Sequence, residues 1–460
     1  MAWRDSAAER KKVLRRETFK TSRLLDFCSE RELTKQIGHG PDLWPLVILK
    51  ELVDNALDAA EEVGTAPVIG IEVGAGAITI TDNGPGIPAE TVAGMLDFSV
   101  RVSSREAYVS PTRGAQGNAL KTIVAMAFAL DGTTGETVIE SRGVTHKIIF
   151  RVDHVRNEPR IDHVRTGSDV KTGTRVTVHW PGCASSKLDG ARPRFLQMAD
   201  DFGWLNPHLS LSLDWKDANR LALKASDPAW TKWQPQDPTS AHWYDPPRLR
   251  RLIGAYIARD EDCGREPRTV REFIIEFRGL SGSAKQKAIL DEIGGARMSL
   301  PDLFGSGDDV NMAAITRLLE VMKRQSRPVK SKDLGIIGRD HFAAKFGAAG
   351  ADLRSFKYKH NFGADDMPDV IETAFGWRPR GKHRRIITGI NWSPAIGNPF
   401  RSLGSFGESL DHILAIQRSG PDEPITFVLH LARPRIEYTD HGKTAVSFAR
   451  DDDHDRGGDE

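Results

Sequence analysis

Residues 50–59 read KELVDNALDA and lie within a longer segment, 42–63, whose apolar positions recur with a helical period. Six side chains form the apolar stripe: Leu49, Leu52, Val53, Ala56, Leu57 and Ala60. Glu51, Asn55 and Asp58 are spaced i, i+4 and i+7, so they share another face. A carboxylate one turn before a carboxamide suits a water-activating base beside an oxygen ligand for Mg²⁺. The alternative is an ordinary amphipathic helix with a solvated polar face.

A second segment, residues 81–88, reads TDNGPGIP and follows a predicted strand, Ala77–Thr81. Asp82 ends the strand, and Gly84 and Gly86 then allow the backbone to approach a ligand closely. A buried carboxylate at a strand end can accept a hydrogen bond from an exocyclic amine such as that of adenine. A simple Asp-Asn-Gly turn is the competing interpretation.

A third segment, residues 113–122, reads RGAQGNALKT. Its glycines open a predicted apolar helix, Gly114–Leu130, whose N-terminal amides can bind phosphate. The pattern is not the GxxxxGK[ST] of a P-loop, and no strand leads directly into it. A glycine-rich loop before a core helix remains the alternative.

Together, in this order and spacing, the three segments resemble the N, G1 and G2 boxes of the GHKL ATPase superfamily, which holds ATP in a Bergerat-type pocket. The variant most resembled is the B subunit of topoisomerase VI, whose boxes are similar to Lys50–Ala59, Asp82–Pro88 and Arg113–Gly117. Ser103-Ser104-Arg105 stands where that family has a Ser-Lys pair, and Asn206-Pro207-His208 resembles the end of its ATPase domain.

The resemblance implies a role for each matching residue. Glu51 is the expected general base, and Lys443 is expected to reach the γ-phosphate from a transducer segment. Asn55 is the expected Mg²⁺ ligand, and Asp82 the expected reader of the adenine amino group. The remaining expected ATP contacts are Gly84, Gly86, Ser104, Gly114, Gln116, Gly117, Asn118, Lys121 and Thr174. A solvated turn lysine is the alternative for Lys443.

Length and pattern predict about three domains in 460 residues. The expected fold class is α+β: a Bergerat-type ATPase α/β sandwich with an N-terminal strap (1–225), a helical helix-two-turn-helix-like insert (226–346), and a transducer-like α/β domain (347–450). An acidic tail, 451–460, is predicted to be disordered because it has six acids and one arginine.

Composition excludes several classes of protein. The 64 Lys+Arg and 63 Asp+Glu give a formal charge of +1, which excludes a uniformly basic nucleic-acid coat. No apolar run reaches the roughly 18 residues of a transmembrane helix, and the charged N-terminus is no secretory signal. Three scattered cysteines make neither a disulfide framework nor a zinc site. We therefore expect a soluble, cytoplasmic protein without membrane contact.

Two basic clusters are candidates for contact with double-stranded DNA. The residues selected from them are Lys323, Arg324, Arg327, Arg380, Lys382, Arg384 and Arg385. A solvated charged surface is the alternative. In the resembled enzyme the corresponding parts face a duplex cavity, which favours DNA contact.

The resulting hypothesis is an Mg²⁺-dependent ATPase that forms an ATP-dependent homodimeric clamp on double-stranded DNA. A separate Toprim-type subunit is expected to cleave the DNA. Two departures favour an alternative, a non-hydrolysing scaffold that holds a DNA-processing partner. Ala119 replaces a lid glycine, and the family's long stalk helix has no counterpart after Phe448.

Overall fold

The computed structural model describes residues 29–96, 107–113, 119–153, 158–216, 219–307, 309–363, 367–403, 408–439 and 445–447. Within these ranges the chain has a mixed α+β fold with two main sheets and a helical part between them. No helix in the described ranges is long and apolar enough to cross a membrane.

The first sheet contains eight of the described strands. In chain order they are β1 (Val68–Val73), β2 (Ala77–Thr81), β3 (Gly135–Ser141), β4 (Val144–Asp153), β5 (Glu158–Gly167), β6 (Thr174–His179), β7 (Ser210–Trp215) and β8 (Asn219–Leu223). Their order across the sheet is β5-β4-β3-β6-β2-β1-β7-β8. All neighbours are antiparallel except β1 and β7, which run parallel.

Helices cover one face of this sheet and complete its core. The helices of this part are α1 (Glu30–Ile37), α2 (Trp44–Glu62), α3 (Ala89–Met95), α4 (Ala119–Asp131) and α5 (Ser185–Leu205). Alternate strand residues such as Ile69, Ile71 and Val73 are buried, because successive side chains of a strand point to opposite faces. The six apolar residues of the predicted α2 stripe are all buried, so that prediction is confirmed.

A helical part follows the first sheet. It contains α6 (Pro246–Asp262), α7 (Val270–Ile275), α8 (Ser283–Ile293), α9 (Leu300–Phe304), α10 (Met312–Gln325) and α11 (Arg339–Ala348), with a small hairpin of β9 (Gly305–Ser306) and β10 (Asp309–Val310). The start of α6 is fixed by Asp245, whose side chain accepts a hydrogen bond from the Arg248 N–H, a typical N-cap.

The second sheet has five described strands: β11 (Lys357–Phe362), β12 (Val370–Trp377), β13 (Arg385–Ile390), β14 (Ser393–Pro394) and β15 (Ile425–Ala432), with α12 (Leu410–Ile416) beside them. Their order is β11-β12-β15-β13-β14, and β13 runs parallel to β15. One hydrophobic core contains residues of both the helical part and this sheet. The boundaries proposed at residues 225 and 346 stay predictions.

A buried carboxylate joins the helical part to the second sheet. Glu372 on β12 accepts hydrogen bonds from the N–H groups of Ile337 and Gly338, each at 3.0 Å. His430 on β15 lies 3.2 Å from the same carboxylate through Nδ1, and its Nε2 accepts the Trp392 N–H at 3.1 Å. Because a backbone N–H can only donate, the His430 proton sits on Nδ1 and is donated to Glu372.

Local patterns predicted several elements with accurate bounds. The strand predicted at 77–81 coincides with β2, and the helix predicted at 42–63 is α2. β3 and β4 form a hairpin, because Arg142 and Gly143 both take positive φ and turn the chain.

We expect the protein to lose stability in acid because of His341 on α11. Its Nε2 donates to the Trp204 carbonyl at 3.0 Å, and its Nδ1 lies 2.6 Å from the Ser226 hydroxyl. Burial lowers the pKa of His341 to about 4. Protonation therefore favours the unfolded chain. The stability that neutral His341 contributes to the fold is complete above about pH 6.5 and is lost as the pH falls towards 4. At pH 5 the expected loss is about 2 kcal/mol.

Urea unfolding at pH 7.5 and pH 5.0 measures this effect. His341→Gln should reduce the difference in unfolding free energy between the two pH values by that amount. His383→Gln, at an exposed position, should leave the difference unchanged. An equal pH difference in wild type and His341→Gln would show that His341 is not responsible.

Candidate nucleotide-binding site

Helix α2 presents its predicted polar face away from the core. Asn55 is exposed and Glu51 is half-buried, so both side chains reach solvent at least in part. Asp58, the third member of that face, forms an ion pair with Arg113 instead. The face thus places the Glu51 carboxylate and the Asn55 carboxamide one turn apart.

Asp82 lies at the end of β2, next to α2. Its Oδ1 accepts hydrogen bonds from the N–H of Gly84 at 2.8 Å and the N–H of Thr174 at 3.1 Å. Burial raises the pKa of Asp82, while these hydrogen bonds act in the opposite direction. The two donors hold the carboxylate in one orientation and place Thr174 beside Asp82.

The glycines after Asp82 allow close packing on both sides. A Cβ on Gly84 would lie 3.1 Å from the Cβ of Ala59, so the loop lies directly against α2. Gly86 has φ +77°, and a Cβ there would lie 2.7 Å from the Ser141 Oγ. Both positions thus favour the absence of a side chain. This packing brings the Asp82 loop and the helix that carries Glu51 and Asn55 together.

Several predicted site residues lie outside the described residues: Ser104, Gly114, Gln116, Gly117, Asn118 and Lys443. The predicted N-terminal strap up to residue 28 and the acidic tail lie outside them as well. Lys121 is described and is buried near the start of α4. Among the described residues no group of three or more His, Cys, Asp or Glu is placed to hold a metal ion. The Mg²⁺ assignment therefore rests on Asn55, whose exposed carboxamide oxygen is a suitable donor.

A buried charge network lies beside the site, and its pairing was not visible in the sequence. Its centre is Arg113, whose side chain is fully buried. The guanidinium makes a bidentate pair with Glu61, through Nη1–Oε2 at 2.8 Å and Nη2–Oε1 at 2.7 Å. It also donates to Asp58 at 2.7 Å and to Asn206 at 2.6 Å. Arg113 thus fixes the chain that leads into the glycine-rich segment to the C-terminal half of α2.

Two further groups complete the network around Glu61. The Lys232 Nζ and the His208 Nε2 each lie 2.8 Å from its carboxylate. Burial disfavours the ionised carboxylate, but Arg113 and Lys232 outweigh it and hold the pKa of Glu61 well below its ordinary value. Burial lowers the pKa of His208, which is therefore neutral and donates through Nε2. The Asn206-Pro207-His208 motif was a sequence signal for this region, but it did not reveal the partners.

The candidate DNA residues differ in what they contact. Arg385 forms ion pairs with Asp200 and Asp201, and Arg384 pairs with Asp411. Arg324 pairs with Glu292. Four of the candidates form no ion pair with another described residue: Lys323, Arg327, Arg380 and Lys382. Arg384 and Arg385 are thus held within the fold, and Arg380 and Lys382 are the more accessible members of the second cluster.

A cavity of about 550 Å³ lies in the helical part. It is lined by α6, α9 and α10, with Ile253, Phe304 and Ile315 among its lining side chains. None of the predicted site residues lines it.

Comparison with known proteins identifies the first part of the chain. Residues 43–182 match the family described as histidine kinase-, DNA gyrase B- and HSP90-like ATPases. These residues form a GHKL ATPase domain. The matched range contains α2, the Asp82 loop and β6, so the GHKL domain includes Glu51, Asn55, Asp82 and Thr174.

Individual relatives of the GHKL domain carry a common name, the B subunit of type 2 DNA topoisomerase 6. The protein of that name from Natronomonas pharaonis is 34% identical over 163 residues, which are 33% of this chain and 20% of that protein. Its namesake from Archaeoglobus fulgidus is 29% identical over 176 residues, 36% of this chain and 28% of that protein. The similarity therefore covers less than a third of either relative's length.

Among solved structures, the 43K ATPase domain of Thermus thermophilus gyrase B, in complex with an aminocoumarin, is similar at 14% identity. The superposition covers 92% of this chain and 84% of that one, with a TM-score of 0.37.

Proposed function

We propose that this chain binds and hydrolyses ATP with Mg²⁺ and closes as a homodimeric clamp on double-stranded DNA, beside a separate DNA-cleaving subunit. The observation that supports it most is the position of Asp82, held by two backbone N–H groups against the helix that carries Glu51 and Asn55. The GHKL family match and the topoisomerase relatives support the same interpretation.

The chain's own residues divide the work in this proposal. Asp82 accepts a hydrogen bond from the adenine amino group. The Asn55 carboxamide oxygen is the protein ligand for Mg²⁺, which neutralises phosphate charge when bound. Glu51 takes the proton of the attacking water. Lys121, Lys443 and the amides of 114–118 are proposed phosphate contacts.

Asp82→Asn is expected to weaken ATP binding by roughly 10- to 100-fold, the usual value of a hydrogen bond to a charged group. The Asn oxygen can keep the Gly84 and Thr174 donors, but its NH₂ then faces the adenine amino group, and two donors repel. GTP has a carbonyl oxygen in place of the adenine amino group, so its binding should be weakened less than that of ATP.

Calorimetric titration of ATP and GTP into both proteins measures this change. Glu72→Gln, at an exposed position of β1, is the matched carboxylate control. If Asp82→Asn binds ATP as tightly as wild type, the adenine contact is assigned to the wrong residue.

Arg380→Glu/Lys382→Glu is expected to weaken duplex DNA binding and to reduce the slope of log K against log salt by about 2, because two phosphate contacts are lost. The double reversal Arg151→Glu/Arg160→Glu on β4 and β5 makes the same change in net charge at another exposed site. Fluorescence anisotropy with labelled duplex at several salt concentrations provides the slopes. Equal losses in both variants would indicate a general charge effect and not a contact at Arg380 and Lys382.

A further inference from the structure

The turn between β13 and β14 has an unusual backbone. Asn391 and Trp392 take φ values of +49° and +63°, and neither is glycine. Consecutive left-handed residues with side chains are strained and persist only where surrounding contacts hold them. All three residues of this segment, which we call the 391–393 turn, are buried: Asn391, Trp392 and Ser393.

The 391–393 turn contacts helix α2 through Ser393. The Ser393 hydroxyl donates to Asp54 Oδ2 at 2.7 Å and accepts from the Lys50 ammonium. Lys50 and Asp54 are themselves paired at 2.7 Å, one helical turn apart. They directly precede Glu51 and Asn55 in sequence, so they form the neighbouring row on the helix. Contacts to that row thus act on the turn of α2 that carries Glu51 and Asn55.

The same turn contacts the chain that leads into the glycine-rich segment. The Asn391 Nδ2 donates to the Thr112 carbonyl at 3.2 Å. The Trp392 carbonyl accepts from the Asn206 Nδ2 at 2.9 Å, and Asn206 in turn accepts from Arg113. Two hydrogen-bonded connections therefore run from the turn to residues 112 and 113.

On its other side the turn is anchored in the second sheet. The Trp392 N–H donates to His430, which donates to Glu372. The Asn391 Oδ1 accepts the Arg433 N–H at 2.8 Å. A shift of the second sheet relative to the first must therefore move or break the contacts at Lys50, Asp54 and Thr112.

We infer that the 391–393 turn is a positioning element of the nucleotide site, through which the second sheet holds both α2 and the chain that leads into the glycine-rich segment. The part of this inference that concerns nucleotide binding and hydrolysis rests on the proposed function. Ser393 and Asn391 act on the site through Lys50, Asp54 and Thr112, and they are positioning residues.

Hydrogen exchange of the full chain without nucleotide tests the physical connection. Ser393→Ala is expected to speed amide exchange in Trp44–Glu62 at least about tenfold. Asn391→Asp keeps the acceptor for Arg433 but loses the donor to Thr112, so it should speed exchange in 107–113. Arg418→Gly is the control, because it relieves a positive φ of +56° at an exposed turn of the same part of the chain. Changes confined to residues 385–394, or spread evenly over the chain, would overturn the inference.

Nucleotide measurements test the positioning role separately. Ser393→Ala is expected to lower kcat at least about tenfold with KM for ATP changed less than about threefold, and Ser393→Thr, which keeps the hydroxyl, should restore most of it. Unchanged kcat would overturn the positioning role. If calorimetry shows that wild type binds no ATP, the proposed function and the positioning role both fail, while the exchange result still decides whether the turn holds α2.

Discussion

Replacing Glu51 by glutamine is expected to reduce ATP turnover by at least about 100-fold while leaving ATP binding intact. A positioned general base contributes roughly 10²- to 10⁴-fold, and glutamine keeps the shape of the side chain but cannot take a proton at neutral pH. Phosphate release with Mg²⁺ and duplex DNA measures turnover, and calorimetry measures binding.

The matched control is Glu62→Gln, an exposed carboxylate at the end of the same helix. It should change neither quantity. If Glu51→Gln keeps its turnover, the base is another group. If wild type itself releases no phosphate under these conditions, the non-hydrolysing scaffold becomes the better hypothesis.

The same variant also tests the clamp. A protein that binds ATP and cannot hydrolyse it should accumulate the closed homodimer, since ATP then selects that state without being consumed. Sedimentation velocity of Glu51→Gln with ATP, and of wild type with a non-hydrolysable analogue, should both show a dimer. A monomer in both experiments would exclude ATP-dependent dimerisation.

Arg113→Met is expected to lower the unfolding free energy by about 3–5 kcal/mol. Removing one partner of a buried ion pair leaves an uncompensated charge: Asp58 loses the cation it pairs with, and Glu61 keeps Lys232 alone. Urea unfolding followed by circular dichroism measures the loss, independently of any nucleotide. The double variant Arg113→Met/Asp58→Asn should recover part of the loss, because the carboxylate that loses its partner is removed with Arg113, while Lys232 still pairs with Glu61.

The control for this prediction is Arg175→Met. Arg175 pairs with Glu140 at 3.3 Å, but its side chain is 43% exposed, so the expected cost is at most about 1 kcal/mol. The network would be of little energetic importance if Arg113→Met cost no more than Arg175→Met.

Much of the first sheet and its helices could be predicted because their signals are local. The stripe of α2 follows a period of 3.6 and the burial of β1 a period of 2, and both periods are properties of neighbouring residues. Gly84 and Gly86 indicated that the backbone after Asp82 approaches a neighbour closely, because the lack of a side chain is also a local property. The grouping of Glu51, Asn55 and Asp82 came from resemblance to a family, and the structure brings their segments together.

The long-range hydrogen-bond and ion-pair partners could not be predicted in this way. Arg113 and Asn206 are separated by 93 residues, and Ser393 and Asp54 by 339. Arg385 resembled a DNA contact in sequence, yet in the fold it pairs with Asp200 and Asp201. A run of basic residues shows charge but not the acids that the folded chain brings beside it.

The sequence by itself thus determined the helix with its acid and amide, the strand ending in Asp82 and the family to which they belong. Only the tertiary structure decided which charges are buried together and how the second sheet meets the first. The physical reason is range: periodicity and turn chemistry act within a few residues, whereas the partner of a buried charge depends on the packing of the whole chain.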